Sequence, residues 1–77
     1  MAIKVKFFAS LREALDISEN TINYSGNLTV SDVWDKATNG SHMPDNTLIA
    51  INMDYVDLSF KVNDGDEVAF FPPVSGG

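Results

Sequence analysis

Residues 64–77 read DGDEVAFFPPVSGG. Their order predicts a polar turn, a β-strand at 67–71 and a C-terminal tail. In that strand the alternation places Val68 and Phe70 toward the core and Phe71 toward the opposite face of the sheet. The two prolines that follow have no N–H to give to a sheet ladder and keep the backbone extended, so the strand is expected to end at Phe71.

The tail from Pro72 to Gly77 carries the strongest functional signal. Its two terminal glycines remove every side chain beyond Ser75 and leave a narrow backbone that ends in a main-chain carboxylate. Extended, this segment reaches at most about 20 Å, enough to enter the active site of a neighbouring protein. We therefore expect a domain at residues 1–71 and a flexible tail at residues 72–77 that presents Gly77 to a partner enzyme. An incidental frayed chain end is the alternative.

The N-terminal part of the chain predicts two strands with a short helix between them. Residues 3–8 alternate as a half-buried strand, and residues 21–24 offer a second one. Ser10 and Glu13 have the spacing of a capping box, so the short helix is expected to begin at Ser10.

A longer helix is expected between Thr29, its cap, and Gly40, where it ends. Its apolar residues recur at the i, i+3, i+4, i+7 spacing of one helical face; they are Val30, Val33, Trp34 and Ala37. A helix of about three turns is marginal alone, so this face must pack across a sheet.

The C-terminal half completes the predicted fold. A buried strand is expected at 48–52, a short extended piece at 55–56, and the last strand at 67–71. The predicted order is strand, short helix, strand, helix and three further strands. This order indicates an α+β fold of the ubiquitin-like β-grasp type. We expect a mixed sheet of about four to five strands with one main helix packed across it.

Phe8 breaks the alternation of the first strand, because it falls on the polar face. The first and last strands of a β-grasp are neighbours, so Phe8 and Phe71 would meet on the outer face beside the root of the tail. An exposed apolar pair there predicts a protein interface. A covering loop, or a register shifted by one residue, would remove this pair from the surface.

Composition restricts the chemistry. Eleven acidic residues against five basic ones give a net charge of −6, which disfavours nucleic acid and membrane partners and favours a basic protein surface. The chain contains no cysteine, which removes disulfides, thiolate catalysis and the usual structural zinc sites. His42 is a lone loop histidine. We therefore expect no metal site and no catalytic side chains. Charges are interleaved with the apolar residues of 1–6, and no later apolar run approaches the roughly 18 residues of a membrane span, so we expect a cytoplasmic protein.

The segment 64–77 resembles the C-terminus of the small subunit of molybdopterin synthase, the MoaD-type sulfur carriers, and residues 3–9 resemble their first strand. With the element order, the resemblance covers nearly the whole chain, although residues 18–46 match only in pattern. It implies a β-grasp fold and a cycle in which an E1-like adenylating enzyme activates Gly77 with ATP. A sulfur donor protein then replaces AMP. No permanent cofactor is implied, only a transient acyl-adenylate and then the thiocarboxylate sulfur at Gly77.

The resemblance also implies where the sulfur goes. The tail would enter the large catalytic subunit of the synthase, a heterotetramer, and two transfers would turn cyclic pyranopterin monophosphate into the dithiolene of molybdopterin, a step of molybdenum cofactor biosynthesis. The reacting residues would be Gly76 and Gly77. The implied partner-binding residues are Phe8, Phe71, Pro72, Pro73, Val74 and Ser75.

Other destinations for such a tail stay open. Sulfur carriers for thiamine thiazole synthesis and for tRNA thiolation also end in Gly-Gly, although residues 70–73, FFPP, favour the molybdopterin branch. A ubiquitin-like modifier that is joined to lysines of target proteins is a further alternative. So is a plain binding module whose tail has no chemical role.

Overall fold

The computed structural model describes residues 2–73. Along the chain its helices and strands are β1 (Ala2–Phe7), α1 (Ala9–Leu15), β2 (Glu19–Asn23), β3 (Leu28–Thr29), α2 (Val30–Thr38), β4 (Leu48–Ile51), β5 (Asp54–Val56), β6 (Lys61–Val62) and β7 (Glu67–Phe71). Five strands form the main sheet in the order β2-β1-β7-β4-β5, and β3 pairs with β6 in a small second sheet. β1 and β7 run parallel, whereas the other neighbours in the main sheet are antiparallel. This mixed five-stranded sheet with two helices is the predicted α+β, ubiquitin-like β-grasp fold.

The two central strands, β1 and β7, supply the middle of the core. Their parallel register pairs Val5 with Val68 and Phe7 with Phe70. All four side chains are at most 1% exposed, because every second residue of each strand faces α2. The predicted inward alternation of the last strand is therefore confirmed.

Helix α2 begins at the predicted cap. The Thr29 hydroxyl accepts a hydrogen bond from the Asp32 N–H at 3.3 Å, and the Asp32 carboxylate accepts one from the Thr29 N–H at 3.0 Å. The apolar face predicted for this helix is buried. The last helical residue is Thr38, and its C-cap Asn39 adopts the left-handed conformation with φ 56°. Gly40, where the sequence predicted the end, follows and donates its N–H to the Asp35 carbonyl.

The start of α1 differs from the prediction. The helix begins at Ala9 and its N-cap residue is Phe8, which makes no side-chain capping bond. The Phe8 carbonyl instead accepts hydrogen bonds from the N–H groups of Leu11 and Arg12 at 3.1 and 3.4 Å. Ser10 already lies inside the helix, so it does not cap it. The Phe8 carbonyl is positioned by the end of β1, and this tertiary constraint decides where the helix starts.

The small sheet of β3 and β6 was not predicted from the sequence, because two-residue strands have no measurable period. The loop that precedes β6 has a structural role at the start of α2. The carbonyls of Phe60 and Leu58 accept hydrogen bonds from the Val30 and Ser31 N–H groups at 3.0 and 3.1 Å. The first turn of a helix lacks intrahelical acceptors for such N–H groups, so this loop satisfies two of them.

The predicted tail overlaps the described residues only at Pro72 and Pro73. Val74, Ser75, Gly76 and Gly77 lie outside the described residues, so the boundary between a domain at 1–71 and a tail at 72–77 stays a prediction. In the part of the chain that the structure describes, neither helix has the length and apolar character needed to span a membrane.

Candidate functional site

Two phenylalanine rings stack on the outer face of the sheet, directly before the tail. The ring centroids of Phe8 and Phe71 lie 4.7 Å apart and the ring planes differ by 13°. The strand register explains this contact: Phe7 pairs with Phe70, so the next residue of each strand faces away from α2. The Phe8 N–H also donates to the Phe70 carbonyl at 3.1 Å, which continues the ladder one residue beyond β1. The structure thus brings Phe8 and Phe71 together as the alternation predicts.

A second aromatic pair on the same two strands shows that the outer pair is not needed to fill the core. Phe7 and Phe70 stack on the inner face with centroids 5.6 Å apart, and both are buried. Phe8 remains 41% exposed, and Phe71 is half-buried. An exposed, ordered aromatic pair is typical of a protein-binding surface.

The stacked pair forms one end of an open groove of about 450 Å³, called here the docking groove. Ala50 and Ala69, which pair between β4 and β7, form its floor, and their one-carbon side chains leave space between the larger residues around it. Asn52, Met53 and Glu67 line the other end of the groove, and Lys6 lies beside the floor because it pairs with Ala69. Phe71 and Glu67 are the last and first residues of β7, so the docking groove runs along the strand that leads into the tail.

The charges in the docking groove compensate each other. Lys6 Nζ lies 3.5 Å from Glu67 Oε1, and both side chains are about one-third to two-fifths exposed. An apolar surface with one internal ion pair can bind a largely apolar protein surface without leaving an unpaired charge. Among residues 2–73, no group of three or more acidic, histidine or cysteine side chains could hold a metal ion. His42 is exposed and does not line the docking groove.

The turn between β4 and β5 belongs to the docking groove and was missed by the sequence reasoning. Its two central residues, Asn52 and Met53, have φ values of 49° and 75°, the pattern of a type I′ hairpin turn. Asn52 Nδ2 donates to Asp66 Oδ1 at 3.0 Å, and Asn52 Oδ1 accepts from the Glu67 N–H at 3.1 Å. Asparagine at the first central position, between two extended segments, is the sequence signal that could have identified this turn.

The structure describes the first part of the predicted partner-binding tail. Pro72 is half-buried and Pro73 is exposed, immediately after the stacked pair. The predicted reacting residues, Gly76 and Gly77, and the predicted contacts Val74 and Ser75 lie outside the described residues. Their roles therefore stay predictions.

Comparison with known proteins places the chain in a family. The profile of the ThiS family matches residues 5–77. The chain belongs to the ThiS family. A relative of this ThiS-family chain, the molybdopterin synthase sulfur carrier subunit of Escherichia coli K12, is 37% identical over 84 residues, covering 97% of this chain and 99% of the relative.

Solved structures similar to this ThiS-family chain include small archaeal modifier proteins and subunits of molybdopterin-converting factors. SAMP1 of Haloferax volcanii, a small archaeal modifier protein, has a TM-score of 0.80 and 29% identity, with complete coverage of both chains. The putative molybdopterin converting factor subunit 1 of Pyrococcus furiosus has a TM-score of 0.74 and 29% identity, covering 96% of this chain and 99% of that one. Subunit 1 in a complex with subunit 2 of the molybdopterin-converting factor of Helicobacter pylori shares the fold, with a TM-score of 0.66, 22% identity and full coverage of both chains.

Proposed function

We propose that this protein is the sulfur carrier subunit of a molybdopterin synthase. In this function, the Gly77 carboxylate is converted to a thiocarboxylate, which donates its sulfur to cyclic pyranopterin monophosphate. The observation that carries the proposal is the position of the docking groove, whose stacked Phe8 and Phe71 rings lie where the last strand passes into the tail. The near full-length likeness to the Escherichia coli sulfur carrier subunit supports the same function.

The chemistry of the cycle fits the composition of the chain. A carboxylate is unreactive, and adenylation by an E1-like enzyme with ATP turns it into an acyl group with a good leaving group. Sulfide-level sulfur from a sulfur donor protein then bonds to the acyl carbon of Gly77, the bond to AMP breaks, and a thiocarboxylate remains. Because the chain has no cysteine, the sulfur travels on the main-chain carbonyl of Gly77 and not on a side chain. The need for ATP is our reason for proposing the cytoplasm as the location of the cycle.

The docking groove explains how the tail would be delivered. The segment 72–77 reaches at most about 20 Å when extended, so a partner must bind close to the root of the tail to receive its tip. The groove offers an apolar surface at that root, and we propose that the large catalytic subunit binds it. The E1-like enzyme must receive the same tip at an earlier step, so we propose that it uses the same groove.

A protein-modifier function is the second candidate, and the likeness to SAMP1 of Haloferax volcanii favours it. The activated Gly77 carbonyl could react with a lysine amine of a target protein instead of a sulfur donor. The higher identity to a sulfur carrier subunit, 37% against 29%, makes sulfur transfer the first candidate.

The test is intact mass spectrometry of the protein after incubation with its activating enzyme, ATP and a sulfur donor. We expect the mass shift for one oxygen replaced by one sulfur at Gly77, and reversal of this shift when the large subunit and cyclic pyranopterin monophosphate are added. A chain that lacks Gly77 is the control and should show no shift. Adducts on target lysines without a thiocarboxylate would instead identify a modifier. A thiocarboxylate that the pterin does not consume would assign the carrier to another pathway.

A further inference from the structure

The loop between β5 and β6 carries two exposed apolar side chains, Leu58 and Phe60, which are 44% and 43% exposed. The fold uses the main chain of both residues, because their carbonyls accept the hydrogen bonds from the start of α2. Every residue type has such a carbonyl, so this role does not require an apolar side chain. The exposed apolar surface of the loop is therefore left without a structural reason.

Phe60 also lines a second cavity, of about 360 Å³, which we call the acidic cleft. The residues of the cleft that matter here are Ile51, Asp54, Val56, Phe60, Asn63 and Asp66. Asp54 pairs with the buried Ile51, so it faces the side of the sheet that carries α2, opposite the docking groove. Among the described residues, Asn52 alone lines both cavities. The acidic cleft is therefore a surface separate from the docking groove.

The two cavities differ in charge. In the docking groove, Lys6 and Glu67 form an ion pair. The acidic cleft holds the carboxylates of Asp54 and Asp66, and no lysine, arginine or histidine among residues 2–73 lines it. Asp66 accepts hydrogen bonds from two amide groups, which are uncharged donors and leave its negative charge in place. The surface complementary to this cleft is positively charged.

The apolar lining and the charge together restrict the occupant. The chain has a net charge of −6, which repels nucleic acid and anionic membranes from a cleft that is itself acidic. Apolar side chains on one wall and carboxylates on another suit a protein segment that carries both apolar and basic side chains. Arginine fits best, because its planar guanidinium can stack on an aromatic ring such as Phe60 while it donates hydrogen bonds to a carboxylate.

We propose that the acidic cleft binds a basic segment of a partner protein, in which an arginine side chain contacts the carboxylates of Asp54 and Asp66. An apolar side chain of the same segment packs against Leu58 and Phe60. This inference does not rest on the proposed function, because the cleft lies on the opposite face of the sheet from the docking groove. A partner in the cleft therefore leaves the Phe8–Phe71 pair accessible.

The test is an NMR titration of the nitrogen-15-labelled full-length protein with the peptide acetyl-Arg-Leu-Arg-amide at low ionic strength. We expect saturable shifts of backbone amide signals within residues 54–66, with a Kd below about 10 mM that rises when NaCl is added. Asp54→Asn should raise Kd by at least about threefold, because one of the two charges of the cleft is lost. The matched control is Asp45→Asn, which changes the net charge equally at an exposed residue outside the cleft and should leave Kd nearly unchanged.

A second peptide, acetyl-Glu-Leu-Glu-amide, separates charge from apolar contact and should cause no shifts. The inference is overturned if the arginine peptide causes no shifts up to about 10 mM, or if both peptides bind equally well. Shifts centred on Phe8 and Phe71 would also overturn it, because they would place the peptide in the docking groove. Equal weakening by Asp54→Asn and Asp45→Asn would make the overall charge responsible and not the cleft. Phe60→Ala should raise Kd by a similar factor, and if that variant is unfolded, Asp54→Asn decides alone.

Discussion

Phe8 and Phe71 stack face to face at the end of the last strand, with ring centroids 4.7 Å apart. The contact joins the residue that precedes α1 to the residue that precedes the tail. An aromatic pair in this place orders the surface beside the tail before any partner binds. It also leaves a flat apolar area that water solvates poorly, so a partner gains free energy by covering it.

The first prediction concerns this pair. Phe71→Ala should weaken binding to the large subunit by on the order of 2 kcal/mol, because an aromatic anchor next to the tail is lost. The thermal unfolding midpoint should change little, since Phe71 faces away from α2. The matched control is Phe60→Ala, which removes a 43% exposed ring that does not line the docking groove. Unchanged affinity together with lost stability would mean that Phe71 serves the fold and not docking.

The sequence was sufficient to predict the parts of the fold that depend on local periodicity. The alternation along 67–71 gave the correct strand with the correct faces, and the Thr29 cap gave the correct start of α2. The predicted start of α1 was wrong, because Ser10 and Glu13 have the spacing of a capping box but do not form one in the structure. There, the Phe8 carbonyl at the end of β1 determines the first turn, and no local pattern reports that constraint.

The docking groove was only partly predictable, for the same physical reason. The outward positions of Phe71 and Ala69 follow from alternation, whereas Ala50 lies in a continuous apolar run whose faces cannot be told apart by period. The hydrogen bonds that hold Asn52 connect it to residues 14 and 15 positions further along the chain. Such long-range pairing depends on strand order, which periodicity alone does not give.

The second prediction concerns the core beneath α2. Trp34 meets the rings of Phe7 and Phe70 edge-on, at centroid distances of 5.7 and 4.9 Å, and its Nε1 donates to the Ser41 carbonyl at 2.7 Å. Trp34→Phe removes this hydrogen bond and leaves a cavity, so the free energy of unfolding should fall by about 1–3 kcal/mol. Urea unfolding measures this change. Tyr55→Phe, a change at an exposed ring, is the control and should have little effect; equal losses in both variants would contradict the packing argument.

The third prediction concerns the cap of α2. Thr29→Ala removes the hydroxyl that accepts from the Asp32 N–H, so the free energy of unfolding should fall by about 1 kcal/mol. Ser31→Ala, at an exposed position in the first turn of the same helix, is the control. Chemical denaturation of the two variants at neutral pH measures the difference. A loss at Ser31 as large as that at Thr29 would show that the capping bond is not responsible.

The fourth prediction is a pH dependence at the same cap. Hydrogen bonds from the Thr29 backbone N–H and then from its hydroxyl, with a smaller attraction from Lys36, hold the pKa of Asp32 below its ordinary value of 3.8, against a small opposing effect of desolvation. A lowered pKa in the folded state contributes stability that is fully present above the pKa of the unfolded carboxyl. That contribution is lost as the pH falls through the lower pKa of the folded state.

The measurement compares the urea midpoints of the wild type and Asp32→Asn across this acidic range. The advantage of the wild type should be constant at neutral pH and should shrink as the pH falls below about 4. In a Thr29→Ala background, the difference in urea midpoint between the chains with and without Asp32→Asn should change less with pH, because the hydroxyl hydrogen bond is already absent. A difference that stays constant down to the lowest pH would contradict the role of the Asp32 carboxylate.

The last prediction concerns the chemical end of the chain. The core cluster extends from Ile3 to Phe70, so deletion of Gly77 removes none of its members and should leave the unfolding midpoint unchanged. Sulfur transfer should be abolished, because the new terminal carboxylate on Gly76 stops about 3.5 Å short of the position that the activating enzyme and the large subunit require. Gly77→Ala keeps the length and adds one methyl group, so it should reduce transfer without abolishing it. Mass spectrometry of the thiocarboxylate and measurement of pterin product follow both variants, and a truncated chain that still forms product would contradict the mechanism.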